Sequence, residues 1–271
     1  MQIYELGYGN KVFVGKNVRF ETKNVLFKPP PGLPCQNNIL FFGDDLNLGD
    51  GLIKFCGSDS IAFFGWTAGI LHADIALHNK SAVFIGVNNY FNPHGEKMHI
   101  IVSERKHFVM GNACNMSSGI WVRNADPHLI YSTETKKRLN PTRSIFIGDH
   151  VWIGQSTMLL KRTQIGSGAV IGGGAIVSGK KIPSNTIWAG NPARQVKDKI
   201  FWFGESVHSF TEEQTAQYST MDTDRFTYER NAESLSFDEI DRALSESPSS
   251  DDKMKVLLEL SNNTAKNRFA V

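Results

Sequence analysis

Residues 145–192 read IFIGDHVWIGQSTMLLKRTQIGSGAVIGGGAIVSGKKIPSNTIWAGNP, and this stretch decides the fold. An aliphatic residue stands at every sixth position, namely at Ile147, Ile153, Leu159, Ile165, Ile171 and Val177. Glycine directly follows four of these six residues. A period of six matches neither an α-helix nor a simple alternating strand, so it indicates an internal repeat. Three units can close one triangular coil with the aliphatic side chains inside, and such coils must stack to bury them.

The composition excludes several classes of protein. The 271 residues carry 29 Lys and Arg against 27 Asp and Glu, a net charge of +2, which predicts neither nucleic-acid nor membrane-surface binding. The sequence has no signal-peptide pattern and no apolar run long enough to span a bilayer. Its three cysteines are far apart, which is typical of reduced thiols. We therefore expect a cytoplasmic protein without a membrane span.

A looser form of the repeat precedes residue 145. An apolar pair followed by glycine recurs at 41–43, 63–65, 84–86 and 109–111. Four phenylalanines are predicted to fill a wide inner core of these early coils: Phe42, Phe64, Phe84 and Phe108. The pattern predicts an all-β domain over residues 1–200. A polar loop at 123–144 interrupts it, and irregular segments of this kind usually carry function.

Residues 201–271 differ in composition from the repeat region. Ser or Thr precedes acidic residues and helical apolar spacing in SFTEEQ, SFDEIDRALSES and SSDDKMKVLLEL. This pattern predicts a short helical C-terminal extension. We expect the extension to cap the open end of the stacked coils or to pack on a neighbouring subunit.

The polar loop and the repeat after it share a spacing with known enzymes. His128, in the run Asp126-Pro127-His128, lies 24 residues before Trp152 of the VWIG unit, with Leu139-Asn140-Pro141 between them. Over residues 105–197 this resembles the galactoside, maltose and capsular-polysaccharide O-acetyltransferases of the hexapeptide-repeat family. The run SSGIWVRNADPH is most similar to enzymes that modify sialic-acid-containing capsules. The resemblance implies a left-handed parallel β-helix and a homotrimer with active sites between subunits.

The same resemblance implies that His128 is a general base. Acyl transfer from a thioester to a sugar hydroxyl requires removal of a proton near neutral pH, which suits an imidazole. Asp126 or a loop carbonyl could orient this ring. A backbone N–H or the indole Nε1–H of Trp152 could bind the oxyanion. Alternatively, Trp152 only shapes the pocket.

The expected co-substrate is acetyl-CoA, bound along the regular coils, and no metal is expected. The glycines at 172–174 would let the slender pantetheine arm approach the main chain. The positions that match the family's coenzyme-binding residues are Gln155, Gly173, Ser178, Lys180 or Lys181, Arg194 and Lys197. The motif does not decide between the two adjacent lysines, and the cations suit the phosphates of the coenzyme.

The acceptor is expected to be a carbohydrate hydroxyl of a capsule or another surface polysaccharide. Candidates for contacting it, chosen by their closeness in sequence to His128, are Trp121, Arg123, Asn124 and Tyr131. Three other functions stay open: an N-acetyltransferase acting on an amino sugar, a non-catalytic β-helix scaffold, and a metal hydratase. The hydratase would use the pairs His72/His78 and His94/His99, but the flanking residues of that class are missing. His150 is expected to be an exposed turn residue.

Overall fold

The computed structural model describes all 271 residues, and β-strands make up most of the regular structure. The strands are β1 (Gln2–Glu5), β2 (Lys11–Val14), β3 (Val25–Phe27), β4 (Ile39–Phe42), β5 (Leu52–Phe55), β6 (Ile61–Phe64), β7 (Ala73–Leu77), β8 (Ala82–Ile85), β9 (Tyr90–Phe91), β10 (Met98–Val102), β11 (His107–Met110), β12 (Asn115–Met116), β13 (Trp121–Arg123), β14 (Ile145–Ile147), β15 (Trp152–Ile153), β16 (Met158–Leu160), β17 (Gln164–Ile165), β18 (Val170–Ile171), β19 (Ile176–Val177), β20 (Lys181–Ile182), β21 (Ile187–Ala189) and β22 (Arg194–Lys197). The helices are α1 (Glu212–Gln217), α2 (Phe237–Glu246) and α3 (Ser250–Asn262), and short 3-10 turns lie at Thr22–Asn24 and Val207–Ser209.

The strands form three sheets that together enclose one core. Sheet A contains β1, β2, β4, β6, β8, β11, β14, β17 and β20; sheet B contains β3, β5, β7, β10, β13, β16 and β19; sheet C contains β9, β12, β15, β18, β21 and β22. Neighbouring strands are parallel except in the pairs β1–β2 and β21–β22. From β8 to β21 the chain visits sheets A, C and B in rotation, so that each coil adds one strand to each sheet.

The inward residues of the regular coils are the ones that the six-residue period predicts. Ile147 pairs with Ile165 in sheet A, Ile153 with Ile171 in sheet C, and Leu159 with Val177 in sheet B. All six are completely buried in one core that runs the length of the coils. The coil from Ile165 to Ile182 in sheet A is one residue shorter than the coil from Ile147 to Ile165.

The early coils bury aromatic side chains on both sides of sheet A. Phe42, Phe64 and Phe108 lie in the inner core, as predicted. The prediction for Phe84 was wrong, because its ring belongs to a second cluster on the outer side of the sheet. There the rings of Phe41 and Phe63 stack at 4.2 Å, and those of Phe63 and Phe84 lie 5.4 Å apart. Full burial of each ring contributes roughly 1.5–3 kcal/mol to stability.

Helices α2 and α3 cover this outer aromatic cluster. Ser236 and Ser249 cap the two helices by accepting hydrogen bonds from the Glu239 and Asp252 N–H groups, at the positions that the sequence pattern predicts. The side chains that reach sheet A are Phe237, Ile240, Leu244, Leu257 and Leu260. The expected capping of the open end is therefore corrected: the helices lie along the flank of sheet A. No helix has both the length and the apolar character needed to cross a bilayer.

The last residues of the chain hold this arrangement to the regular coils. Phe269 accepts a hydrogen bond from the Ser167 N–H, and Val271 exchanges two hydrogen bonds with Ser184. Arg268 is 1% exposed and forms two hydrogen bonds with the carboxylate of Asp149, of 2.8 and 2.7 Å. Asp149 lies in the corner between β14 and β15, so this ion pair joins the C-terminal segment to the coil that carries Trp152.

Candidate active site

The loop between β13 and β14 leaves the corner between sheet B and sheet A and is held at its base by a small polar network. Asn140 is buried and donates hydrogen bonds from Nδ2 to the Asp126 carboxylate, at 3.0 Å, and to the His128 carbonyl, at 2.7 Å. Its Oδ1 accepts a hydrogen bond from the Ile130 N–H at 2.9 Å. One amide side chain thus holds the backbone at His128 and Ile130 and the side chain of Asp126.

Lys161 completes the network from the next coil. Its ammonium group donates a hydrogen bond to the Asp126 carboxylate. This contact, together with the hydrogen bond from Asn140, lowers the pKa of Asp126 below its ordinary value. Asp126 is therefore an ionised anchor at the base of the loop. Its carboxylate bonds Lys161 and Asn140 and forms no hydrogen bond with the His128 ring, so the predicted direct orientation of that ring by Asp126 is not seen.

A second anchor ties the outer part of the loop to the corner between β10 and β11. The guanidinium of Arg138 forms a bidentate pair with Glu104, with distances of 2.8 and 2.9 Å, and the Thr142 hydroxyl also donates to this carboxylate. These contacts, that with Arg138 first, lower the pKa of Glu104 to about 2. Between the anchors, Ile130 and Leu139 share a backbone hydrogen bond, as do Ser132 and Lys137. The loop is thus an ordered hairpin.

Replacing Arg138 by Gln is expected to increase amide exchange at Ser132 and Leu139 about two- to fivefold at pH 7, because an exposed ion pair contributes modestly. In the wild type this contribution is fully present above the ordinary carboxyl pKa of 4.5. It is lost as the pH falls through about 2, since the folded pKa is the depressed one. Hydrogen exchange measured by NMR tests this, with Lys137→Gln as the matched control on the same hairpin. Equal exchange in both variants would contradict the anchoring role.

His128 and Trp152 lie on different parts of the prism. The His128 side chain is exposed beside the corner of sheets A and B. Trp152 is on β15 in sheet C and is 41% exposed. Its ring lies 6.1 Å from the ring of Trp202, which belongs to the segment that leaves the last strand. The two predicted catalytic residues therefore do not belong to one surface of a single chain.

The residues predicted to bind the coenzyme border the outer face of sheet B on two sides. Gln155 and Gly173 are exposed in the corner between sheets C and B, where the Gly174 N–H donates to the Gln155 carbonyl at 2.7 Å. Ser178 is exposed and Lys180 is half-buried in the corner between sheets B and A, and Lys181 is exposed on β20. A side chain at Gly154 would collide with the backbone of Gly173, so these coils approach each other closely here.

The two remaining cations predicted to bind the coenzyme follow the last coil. Arg194 and Lys197 are exposed on β22, which pairs antiparallel with β21 at the edge of sheet C. Their side chains form no ion pair within the chain. They are therefore free to meet an anionic group.

The residues predicted to contact the acceptor divide into two groups. Trp121 and Arg123 point outward from β13 on sheet B, and Tyr131 is 53% exposed on the loop hairpin. Asn124 does not fit its predicted role: it is completely buried, and its amide bonds the Ser103 N–H and carbonyl. It stabilises the corner below the loop and has no free surface to offer an acceptor.

The histidines outside the loop have surroundings that differ from those predicted. His150 was expected to be exposed, but its ring is sandwiched between Trp202, at 4.0 Å, and Phe226, at 4.5 Å. This burial lowers the pKa of His150. His72 bonds Asp50 and the Gly95 carbonyl, and His99 stacks on Trp121. One member of each histidine pair considered for a metal site thus has other contacts.

Sequence reasoning missed Lys161, Asn140 and Glu104 as supports of the loop. Asn140 was visible only as part of a turn. Lys161 lies 35 residues from its partner Asp126, and Glu104 lies 34 residues from its partner Arg138. The one available signal was the strict period, which places Lys161 in the coil after β13, at the corner from which the loop leaves.

Comparisons with known proteins agree with this fold. The bacterial transferase hexapeptide (six repeats) family matches residues 144–179. The chain is 32% identical over 210 residues to the polysialic acid O-acetyltransferase of Neisseria meningitidis, covering 77% of this chain and 82% of that protein. It is 33% identical over 132 residues to the polysialic acid O-acetyltransferase of Escherichia coli O1:K1 / APEC, covering 49% and 41% of the two proteins.

Two crystal structures share the fold. The polysialic-acid-specific acetyltransferase NeuO superimposes with a TM-score of 0.59 at 24% identity, covering 78% of this chain and 97% of NeuO. The polysialic acid O-acetyltransferase OatWY superimposes with a TM-score of 0.56 at 21% identity, covering 76% and 98% of the two chains.

The prism of six-residue units defines a hexapeptide-repeat transferase. The chain belongs to the hexapeptide-repeat acyltransferase family, as an enzyme similar to the capsular-polysaccharide O-acetyltransferases.

Proposed function

We propose that this enzyme transfers an acetyl group from acetyl-CoA to a hydroxyl of a surface polysaccharide, with His128 as the general base. The observation that carries the proposal is the hairpin that presents an exposed His128 from a base fixed by Asn140, Asp126 and Lys161. The O-acetyltransferase relative from Neisseria meningitidis, similar over most of its length, supports the choice of reaction and acceptor. The family also supports a left-handed coil. We further propose a division into a β-helix domain, 1–200, and a helical extension, 201–271, because the last strand ends at Lys197 and the first α-helix begins at Glu212.

In the proposed reaction the His128 imidazole accepts the proton of the sugar hydroxyl while the hydroxyl oxygen attacks the thioester carbonyl. A backbone N–H or the indole N–H of Trp152 stabilises the oxyanion, which contributes about 3 kcal/mol when the donor is well placed. The C–S bond then breaks, and the imidazolium returns the proton to the leaving thiolate. The products are the sugar acetate and free CoA, and no acyl-enzyme forms.

The positions of the residues support a trimer with shared sites. His128 leaves the corner of sheets A and B, whereas Trp152 lies on sheet C, so a neighbouring subunit is the natural way to bring them together. Helices α2 and α3 already cover the outer face of sheet A. Sheets B and C are therefore the faces available for subunit contact and for the coenzyme, which Gln155, Gly173, Ser178, one of Lys180 and Lys181, Arg194 and Lys197 would bind.

The coenzyme proposal is tested by thermal denaturation with and without acetyl-CoA. Ligand at a hundred times its Kd should stabilise the folded protein by about 2.7 kcal/mol. The double variant Arg194→Gln/Lys197→Gln should lose most of the shift, while exposed Lys23→Gln on an early coil should keep it. No shift in the wild type would favour a non-catalytic scaffold. For a protein acting on acetyl-CoA, the cytoplasm is the proposed location.

A further inference from the structure

Arg123 carries a guanidinium group without a partner in its own chain. It is half-buried on β13, and its Nε atom is completely buried without a hydrogen bond. No carboxylate of the chain forms an ion pair with it. A polar group withdrawn from water normally has a hydrogen-bond partner, and an exception needs an explanation. A ligand anion would supply both the charge and the acceptor atoms.

The surface around Arg123 has the character of a carbohydrate-binding strip. The His99 ring stacks on Trp121 at 4.4 Å with an interplanar angle of 24°, and both point outward from sheet B. Because the two residues are in register on neighbouring strands, the rings stack on each other along the row, and their outer edges form an apolar surface against which a sugar ring can pack. The strip therefore combines an aromatic surface with an adjacent unpaired cation.

A second cation lies in the same row of outward side chains. Arg123 is in register with Ile101, which is in register with Ala76 and then with Lys54. Lys54 forms no ion pair, and three strand spacings separate it from Arg123, about 14 Å at ~4.8 Å per strand. The neighbouring row contains Asp74, which pairs with Lys97 at 3.4 Å, and Lys97 also pairs with Asp50 at 3.1 Å.

The position of the strip relative to the loop indicates which substrate it serves. The residues proposed to bind the coenzyme belong to coils that follow the loop, from β15 onward. Arg123, Trp121, His99 and Lys54 belong to β13, β10 and β5, which precede the loop. If acetyl-CoA occupies the later coils, the acceptor reaches His128 across the earlier ones.

We propose that the outer face of sheet B from β13 to β5 binds an acidic polysaccharide acceptor. Arg123 binds a sugar carboxylate next to the reacting unit, the Trp121–His99 pair packs against a sugar ring, and Lys54 binds a carboxylate further along the polymer. This inference rests on the proposed function and specifies its acceptor as a carboxylate-bearing polymer. The strip sets the affinity for the polymer and takes no part in the chemical step.

The test compares steady-state kinetics of Arg123→Gln and Lys54→Gln with the wild type, using polysialic acid as acceptor. The expected result for Arg123→Gln is an acceptor KM raised at least tenfold, with the KM for acetyl-CoA within twofold of wild type. Lys54→Gln should raise the acceptor KM about threefold for long polymers and leave it unchanged for a single sugar unit. Arg242→Gln, an exposed arginine on α2 without an ion pair, is the matched control.

Two further arms separate the possible outcomes. Carboxyl-reduced polysialic acid should be a poor wild-type acceptor, and Arg123→Gln should barely change its KM. An unchanged acceptor KM in Arg123→Gln overturns the inference, as does equal use of the reduced polymer by the wild type. A parallel rise in the KM for acetyl-CoA overturns it too, because Arg123 would then serve the coenzyme.

Failure of the proposed function is distinguishable from failure of the strip. If the wild type releases no CoA with any acceptor, the proposed reaction fails. Direct titration of polysialic acid into wild type and Arg123→Gln then decides the binding inference alone. Arg123→Lys, which keeps the charge but not the bidentate fork, should bind polysialic acid with intermediate affinity if the site exists. Equal affinity of all three proteins would contradict it.

Discussion

Replacing His128 by Ala is expected to lower kcat at least about a hundredfold, because general-base catalysis by a positioned side chain contributes 10²–10⁴-fold. The KM values for acetyl-CoA and for the acceptor should change little, since the imidazole acts on the proton that moves in the transition state. The network beneath His128 uses its backbone carbonyl, so the substitution should leave the hairpin intact. Initial rates of CoA release measure the effect.

The control for this variant is His208→Ala, which removes an exposed imidazole from the C-terminal region. It should keep the wild-type rate. Size-exclusion chromatography with light scattering should give the same molar mass for wild type and both variants. A His128→Ala enzyme with near-wild-type kcat would exclude the general-base role, whatever its fold.

Replacing Arg268 by Ala is expected to destabilise the fold by about 3–5 kcal/mol, the usual cost of breaking a buried ion pair by removing one partner. Asp149 is 9% exposed, and its carboxylate would retain only the hydrogen bond that it accepts from the Asn112 N–H. Two carbonyl groups, of Leu260 and Asn263, would also lose the donors that Arg268 supplies. Urea denaturation followed by circular dichroism measures the change.

Arg230→Ala is the matched control, because Arg230 is exposed and forms no ion pair. It should change the free energy of unfolding by less than about 0.5 kcal/mol. The double variant Asp149→Asn/Arg268→Ala should be more stable than Arg268→Ala alone, since no unpaired charge remains buried. A loss of under about 1 kcal/mol in Arg268→Ala would show that the pair does not hold the C-terminal segment to the coils.

The early coils show both the strength and the limit of the repeat as a guide to the fold. In each apolar pair before glycine, the second residue points inward and the first outward, as Phe42 and Phe41 do. The same alternation puts Ile85 inside and Phe84 outside. The prediction placed Phe84 in the inner core with the other phenylalanines, whereas strand alternation decides the side on which a residue lies.

The sequence contains a signal for where the C-terminal helices pack, although it was not used in the prediction. Strands such as IAFF at 61–64 and AVFI at 82–85 are apolar at every position, which is typical of a sheet buried on both faces. The coils themselves cover only the inner face. The outer phenylalanines therefore required a covering element, and α2 and α3 supply it through Phe237 and Leu257.

The parts of the candidate site that belong to sequence motifs could be predicted. The contacts between residues that are distant in sequence could not. The spacing of His128 and Trp152 and the glycines at 172–174 were all visible in the sequence. The Lys161–Asp126 and Arg138–Glu104 contacts join residues from different coils, so no local pattern reports them. Asn124 and His150 were predicted wrongly because polar side chains at the corners of coils can be buried. Asn124 is buried by its hydrogen bonds with Ser103, and His150 by its stacking on Trp202.

The most direct test of the central claim is detection of the transferred group on the polymer. Wild-type enzyme is incubated with polysialic acid and acetyl-CoA labelled with ¹³C in the acetyl group, and the purified polymer is analysed by NMR. We expect ester-linked ¹³C-acetyl groups that mild alkali removes, in amounts equal to the CoA released, and at least about a hundredfold slower formation with His128→Ala. Label that resists mild alkali as an amide, or CoA release without label on the polymer, would contradict it.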